Sequence, residues 1–195
     1  IANQDLVDFA KLIAQELSLS LENAYLYDKM RRMATYDALT GVYNRMFLMN
    51  YISELFASHP RTVSVIIFDV DHFKVINDRY GHLVGDMVLK ETAQVAGEML
   101  PTGILARYGG EEFVVVLPEV PVNEAVRFAD SLRHAVFEHH YRTDDGRMVV
   151  VTLSGGVAGY PENADSFEGL LQKADKALYY AKNSGRNRIC LADKA

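Results

Sequence analysis

Residues 63–70 read VSVIIFDV, an almost unbroken apolar run with a carboxylate, Asp69, one place before its end. Such a run is typical of a strand buried inside a sheet, and the chain around it has to supply the cover. From Thr35 onward helical and strand-like segments alternate. Asn44–Ser58, Phe73–Tyr80, Leu83–Leu100, Val122–His139 and Ser166–Lys182 carry helical periodicity. Ile104–Tyr108 and Phe113–Leu117 flank Gly109-Gly110 and read as a hairpin with a glycine turn. Met148–Leu153, Gly155–Tyr160 and Arg188–Leu191 supply further strand material. The last long helix is expected to be capped by Asp165, with Glu168 three residues on, and closed by Gly185. The fold class predicted is α+β, one domain with a mostly antiparallel sheet.

Ahead of that domain, Asn3–Met33 holds neither Gly nor Pro and is rich in helix formers. Leu6, Ala10, Ile13, Leu17, Leu21 and Ala24 recur at spacings of three and four, and Leu26, Met30 and Met33 continue on a shifted stripe. Lys29, Arg31 and Arg32 sit at the C-terminal end, where cations suit the helix dipole. A lone helix has no second layer to bury such a stripe. Pairing with a second copy, or with a sensory domain, is therefore expected. Residues 1–36 are assigned to this stalk and residues 37–195 to the α+β domain.

The 195 residues carry a net charge of −6, which argues against non-specific nucleic-acid binding. The single cysteine, Cys190, excludes an intrachain disulfide framework and a cysteine-based zinc site. No apolar run approaches the ~20 residues of a membrane span, and no signal-peptide pattern opens the chain, so a cytoplasmic setting without membrane contact is expected. The first residue is Ile1 rather than Met, which suggests a fragment of something longer.

Three groups of residues carry potential chemistry. Asp69 ends the buried run, and Glu111 and Glu112 follow the glycine turn. Carboxylates at a strand end and on an adjacent hairpin suit a hard cation such as Mg²⁺. By spacing alone the glutamates read more readily as solvated hairpin charges, and side-chain alternation lets both reach one site only if the turn is distorted. Asp71 is the expected cap of the Phe73–Tyr80 helix. Asn77, His82 and Asp86 form a polar group; His82 and Asp86, four apart, share a helix face. A carboxylate accepting from an exocyclic amine and a ring N–H favours guanine, although simple capping around Gly81 explains the same residues. Lys74, Lys182 and Arg186 form a basic group, with the N–H groups of residues 72–74 as a phosphate site; taken singly these are solvated charges. The His139-His140 pair, Tyr179-Tyr180 and the methionine stripe read as packing or a helix end.

Together the motifs resemble a known family. RYGGEEF (Arg107–Phe113) resembles the signature of the GGDEF family of diguanylate cyclases, in its GGEEF form. DALTGVYNR (Asp37–Arg45) looks like the opening motif of that domain. FDVDHFKVIND (Phe68–Asp78) and YGHLVGD (Tyr80–Asp86) look like its nucleotide-binding segment, and AKNSGRN (Ala181–Asn187) is similar to its C-terminal phosphate-binding motif. Four motifs in the family's order, spanning Asp37 to Leu191, are a far stronger signal than a lone GGEEF.

The resemblance implies a ferredoxin-like, polymerase-palm-like fold, with a five-stranded sheet and surrounding helices. It implies the condensation of two GTP to cyclic di-GMP and two pyrophosphates by a homodimer with facing active sites. Mg²⁺, with Mn²⁺ as the alternative, would be held by Asp69, Glu111, Glu112 and the Val70 carbonyl, and Glu111 would be the catalytic base. Asn77 and Asp86 would read guanine, with His82 near the sugar or base, and Lys74, Lys182 and Arg186 would hold the terminal phosphates. Rival readings are a catalytically silent module binding GTP or a cyclic dinucleotide, and a synthase of mixed cyclic GMP–AMP, against which the aspartate at position 86 argues. Leu100-Pro-Thr-Gly103 stands where many members carry an Arg-x-x-Asp product site, so that mode of feedback is expected to be absent. The segment LENAYLY (Leu21–Tyr27) looks like the closing helix of a GAF-type sensory domain.

Overall fold

Apolar side chains on both faces of one strand force a layer of helices onto each side of its sheet. The computed structural model, which describes residues 2–192 apart from the side chains of 2–8 and 10, has this arrangement. It divides into two compact units at Thr35/Tyr36.

The first unit is a single helix, α1 (Ala2–Thr35). Its side chains Phe9, Leu12, Ile13, Leu17, Leu21, Leu26, Met30 and Met33 are all exposed. Leu6 and Ala10, the first positions of the expected stripe, lie outside the described side chains. Among the described residues no helix is long and apolar enough to cross a membrane.

The second unit runs β1 (Tyr43–Asn44), α2 (Arg45–Ala57), β2 (Val63–Val70), α3 (Phe73–Tyr80), α4 (His82–Met99), β3 (Ile104–Gly109), β4 (Glu112–Pro118), α5 (Val122–Glu138), β5 (Tyr141–Arg142), β6 (Met148–Val149), β7 (Leu153–Tyr160), α6 (Phe167–Asn183) and β8 (Ile189–Leu191). The main sheet has the order β1-β3-β4-β2-β7-β8. β2 lies at its centre, antiparallel to β4 and β7. β3 pairs antiparallel with β4, while the short edges β1 and β8 run parallel to β3 and β7. This is the expected α+β fold: five main strands, mostly antiparallel, with a two-residue edge added.

Alternation along β2 splits the interior into two cores. Ile66, Phe68 and Val70 join Phe113, Val115 and Leu117 of β4 under α4 and α5. Val63, Val65 and Ile67 join Val114 and Val116 under α2 and α6. The Phe68 and Phe113 rings stack at 5.2 Å, locking β2 to β4 just inside the strand ends that carry the acidic residues.

Several local expectations are corrected. Asp71 caps nothing: the position before α3 belongs to His72, at φ 56°, with no side-chain cap. The cap of α6 is Ser166, which accepts from the Gly169 N–H, rather than Asp165. The Met148–Leu153 segment is not one strand: Met148–Val149 form β6 and Leu153 begins β7, with the Thr152 carbonyl just before it accepting from the Asp71 N–H at 2.9 Å.

Candidate active site at the strand ends

Asp69 sits at the end of β2, directly opposite Glu112 on β4 and Ser154 on β7. It shares the sheet face of Val65 and Ile67, the side covered by α6. That helix can come close because of Gly156 on β7: a Cβ there would lie 2.0 Å from the Ala174 carbonyl and 2.4 Å from the Leu178 nitrogen. One turn beyond Leu178, Lys182 therefore reaches the strand end, and its Nζ lies 2.8 Å from the Asp69 carboxylate.

The glycine turn departs from regular strand alternation. The β3–β4 register shifts between Arg107 and Gly109, and Gly110 takes φ 52°. Glu112 begins β4, while Glu111 belongs to the turn, with its carbonyl facing the Val70 N–H at 3.4 Å. Strict alternation does not apply across such a bulge. Both glutamates stand close enough to act on the Asp69 charge. Burial raises the Asp69 pKa most, Lys182 partly offsets it, and Glu111 and Glu112 raise it further, to about 6. Among the described residues no three His, Cys, Asp or Glu side chains converge as a ready-made metal site. What the strand ends offer is the carboxylates of Asp69, Glu111 and Glu112 and the ammonium of Lys182.

The turn is held from below by residues to which the sequence assigned no role. The Arg107 guanidinium donates twice to the Gly110 carbonyl, at 2.9 and 2.7 Å, and once to the Asp37 carboxylate at 3.0 Å. Asp37 also accepts from the Thr40 N–H and hydroxyl. Burial pushes the Asp37 pKa up, but Thr40 and Arg107 together outweigh it and leave it below the ordinary value. Their presence in the quoted motifs was the one available signal.

Asn77 and Asp86 lie on the facing helices α3 and α4, both half-buried. The Asn77 Oδ1 is buried and, among the described residues, has no hydrogen-bond partner. It fits only because residue 85 is glycine: a Cβ there would stand 1.9 Å from it. A buried acceptor without a partner is costly to leave empty. His82 is exposed at the first position of α4, and Lys74 is exposed in the first turn of α3. Arg186 lies in the loop after α6 at φ 61°, with its N–H on the Ala181 carbonyl at 3.1 Å. Lys182 thus joins the carboxylates themselves, while Arg186, Lys74 and His82 make no contact with that group among the described interactions.

Residues 34–188 match the family model described as diguanylate cyclase, GGDEF domain. The chain is 40% identical over 178 residues to the uncharacterized protein YhcK of Bacillus subtilis, covering 88% of this chain and 50% of that one. It is 33% identical over 198 residues to diguanylate cyclase A of Treponema denticola, covering 98% and 53%. The chain spans about half the length of these curated relatives. Among solved structures, the coiled coil and GGDEF domain of DgcB from Caulobacter crescentus, in complex with c-di-GMP, matches with a TM-score of 0.82 at 29% identity, over 94% of this chain and 98% of that one.

Proposed function

This chain belongs to the GGDEF family of diguanylate cyclases, and on that premise we propose that it condenses two GTP into cyclic di-GMP and two pyrophosphates, as a homodimer. The observation that carries the reading is the strand-end group of Asp69, Glu111, Glu112 and Lys182 around a distorted glycine turn. Mutually repelling carboxylates beside a lysine suit a site that receives divalent cation and polyphosphate together.

The donor set fits Mg²⁺ or Mn²⁺, since hard cations in such sites take one or two carboxylates and complete their shell with phosphate and water. Asp69, Glu111, Glu112 and the Val70 carbonyl would hold the ion. When bound, the ion neutralises phosphate charge and lowers the pKa of a coordinated hydroxyl. The protein's own groups do the rest. Asn77 and Asp86 take the guanine edge, with His82 at the sugar or base. Lys74, Lys182 and Arg186 grip the terminal phosphates. Glu111 accepts the proton of the 3′-hydroxyl as its oxygen forms a bond to the α-phosphorus of the other nucleotide and the bond to the β-phosphate breaks.

Each domain holds one GTP, so two must face each other, and two such transfers close the ring. The exposed apolar side chains of α1 offer a means of pairing two chains, and bringing the nucleotides together supplies several kcal/mol of the barrier. In this reading α1 also receives the input of a sensory domain, and the setting is cytoplasmic.

The decisive experiment is the mass of the product formed from GTP and Mg²⁺ over a range of protein concentrations. Cyclic di-GMP rising more steeply than linearly with protein is expected, together with loss of turnover but retention of GTP binding in Glu111→Gln. GTP binding without product would favour the silent module, and a mixed product in the presence of ATP would favour the GMP–AMP synthase. Unaltered turnover in Glu111→Gln would remove that residue from the chemistry.

A further inference from the structure

Asp71, two residues beyond Asp69, is only 3% exposed. Its Oδ1 accepts the Ser154 hydroxyl at 2.7 Å. Its Oδ2 accepts the Thr152 hydroxyl at 2.7 Å and the backbone N–H of Asn187 at 3.0 Å. The donors come from the start of β7 and from the loop between α6 and β8, so one carboxylate ties three distant stretches together. A buried carboxylate is tolerable only when its lone pairs are filled in this way.

The loop it grips is conformationally unfavourable. Arg186 and Asn187 take φ 61° and 45°, two successive non-glycine residues in the left-handed region. Such a backbone persists only where its surroundings over-determine it. Arg133 donates to the Asn187 side chain at 2.9 Å, and the Gly155 N–H donates to the Arg188 carbonyl at 2.9 Å. The Asp71 bond is the one among these that ties the loop to the segment bearing Asp69 and Lys74.

The geometry points to Asp71 as a positioning residue for the terminal phosphates of the substrate: by holding the Asn187 N–H it fixes the strained turn from which Arg186 projects. The inference rests on the reading that Lys182 and Arg186 receive those phosphates. Asp71 has its oxygens filled by Ser154, Thr152 and Asn187 and acts through the loop, not on the nucleotide. A purely structural role would weaken every ligand alike, whereas positioning of Arg186 affects only ligands that carry the outer phosphates.

The test compares the affinities of α,β-methylene GTP, which cannot react at the α-phosphorus, and of GMP, by calorimetry in Mg²⁺, with thermal melts alongside. Arg186→Ala and Asp71→Ala should each weaken the triphosphate analogue about tenfold or more, the loss expected of a charge-assisted hydrogen bond, with GMP binding held within about twofold. Asp71→Asn, which still offers an oxygen to the Asn187 N–H, should recover part of the loss. An unchanged ratio in Arg186→Ala would overturn the phosphate reading and the proposal with it. A changed ratio in Arg186→Ala but not in Asp71→Ala, or equal weakening of both ligands in Asp71→Ala, would overturn the positioning role alone. If Asp71→Ala does not fold, Thr152→Val decides. Removing one of the two donors on Oδ2 should lower the ratio about threefold in a protein that still melts cooperatively, and an unaltered ratio there would sink the proposal.

Discussion

Arg107 and Asp37 are joined at 3.0 Å across a sequence separation of 70 residues, and the same guanidinium caps the carbonyl of Gly110 inside the glycine turn. The segment that opens the second unit is thereby bolted to the residue preceding Glu111. Arg107→Lys keeps the charge but loses the planar fork that serves both partners. Turnover should fall about tenfold or more, with the KM for GTP changing much less, since the turn is loosened but no proposed nucleotide contact is removed. Steady-state kinetics check this, and an unchanged kcat would show that the turn holds its shape unaided.

Asp69 gives the metal-free protein a specific pH dependence. Its folded pKa of about 6 lies above the ordinary 3.8, so the folded state binds this proton more tightly than the unfolded chain does. The stabilisation is complete below pH 3.8 and is lost as pH rises through 6, a change on the order of 3 kcal/mol. Asp69→Asn should flatten the fall in stability between pH 4 and pH 7 and raise the melting temperature at pH 7.5. Stabilisation by added Mg²⁺ should run the opposite way, growing as pH rises through 6. Thermal melts of both proteins with and without the ion provide the comparison.

Gly85→Ala separates helix propensity from site shape. In the interior of α4, alanine is favoured over glycine by about 1 kcal/mol. The new Cβ, however, would stand 1.9 Å from the Asn77 Oδ1 and 3.2 Å from the Phe73 ring. Asn77 must move, so GTP affinity and the preference for GTP over ATP should both drop, by about tenfold, the loss expected of one or two hydrogen bonds. Nucleotide titrations read the outcome directly, and undiminished selectivity would take Asn77 away from the base.

Removing the first unit should leave a folded domain. Both cores are built from residues 39 onward. A chain of residues 36–195 is expected to melt close to the full chain but to need a higher protein concentration for the same specific activity. Sedimentation and product formation, measured on one dilution series, test this together.

The sheet and the four motifs were legible in the sequence because their signals are local. Burial on both faces leaves VSVIIFDV almost wholly apolar, and a tight glycine turn must be written as consecutive residues. An aspartate just before a helix looks like a cap, but the partners of Asp71 lie 81, 83 and 116 residues away. Asp165 lost the cap to Ser166 by one position, a difference that side-chain geometry decides and composition does not.

The α+β class and the residue types at the strand ends can be read from the chain alone, because they follow from short-range periodicity and spacing, and the family can be read from the resemblance of four ordered motifs. Only the tertiary structure decided that Lys182 meets Asp69, that Arg107 braces the turn through Asp37, and that Gly85 opens the slot for Asn77. Those pairings depend on how closely α6 approaches β7 and α4 approaches α3 and on a bond between residues 70 apart, and such distances are set by side-chain packing in three dimensions rather than by local spacing.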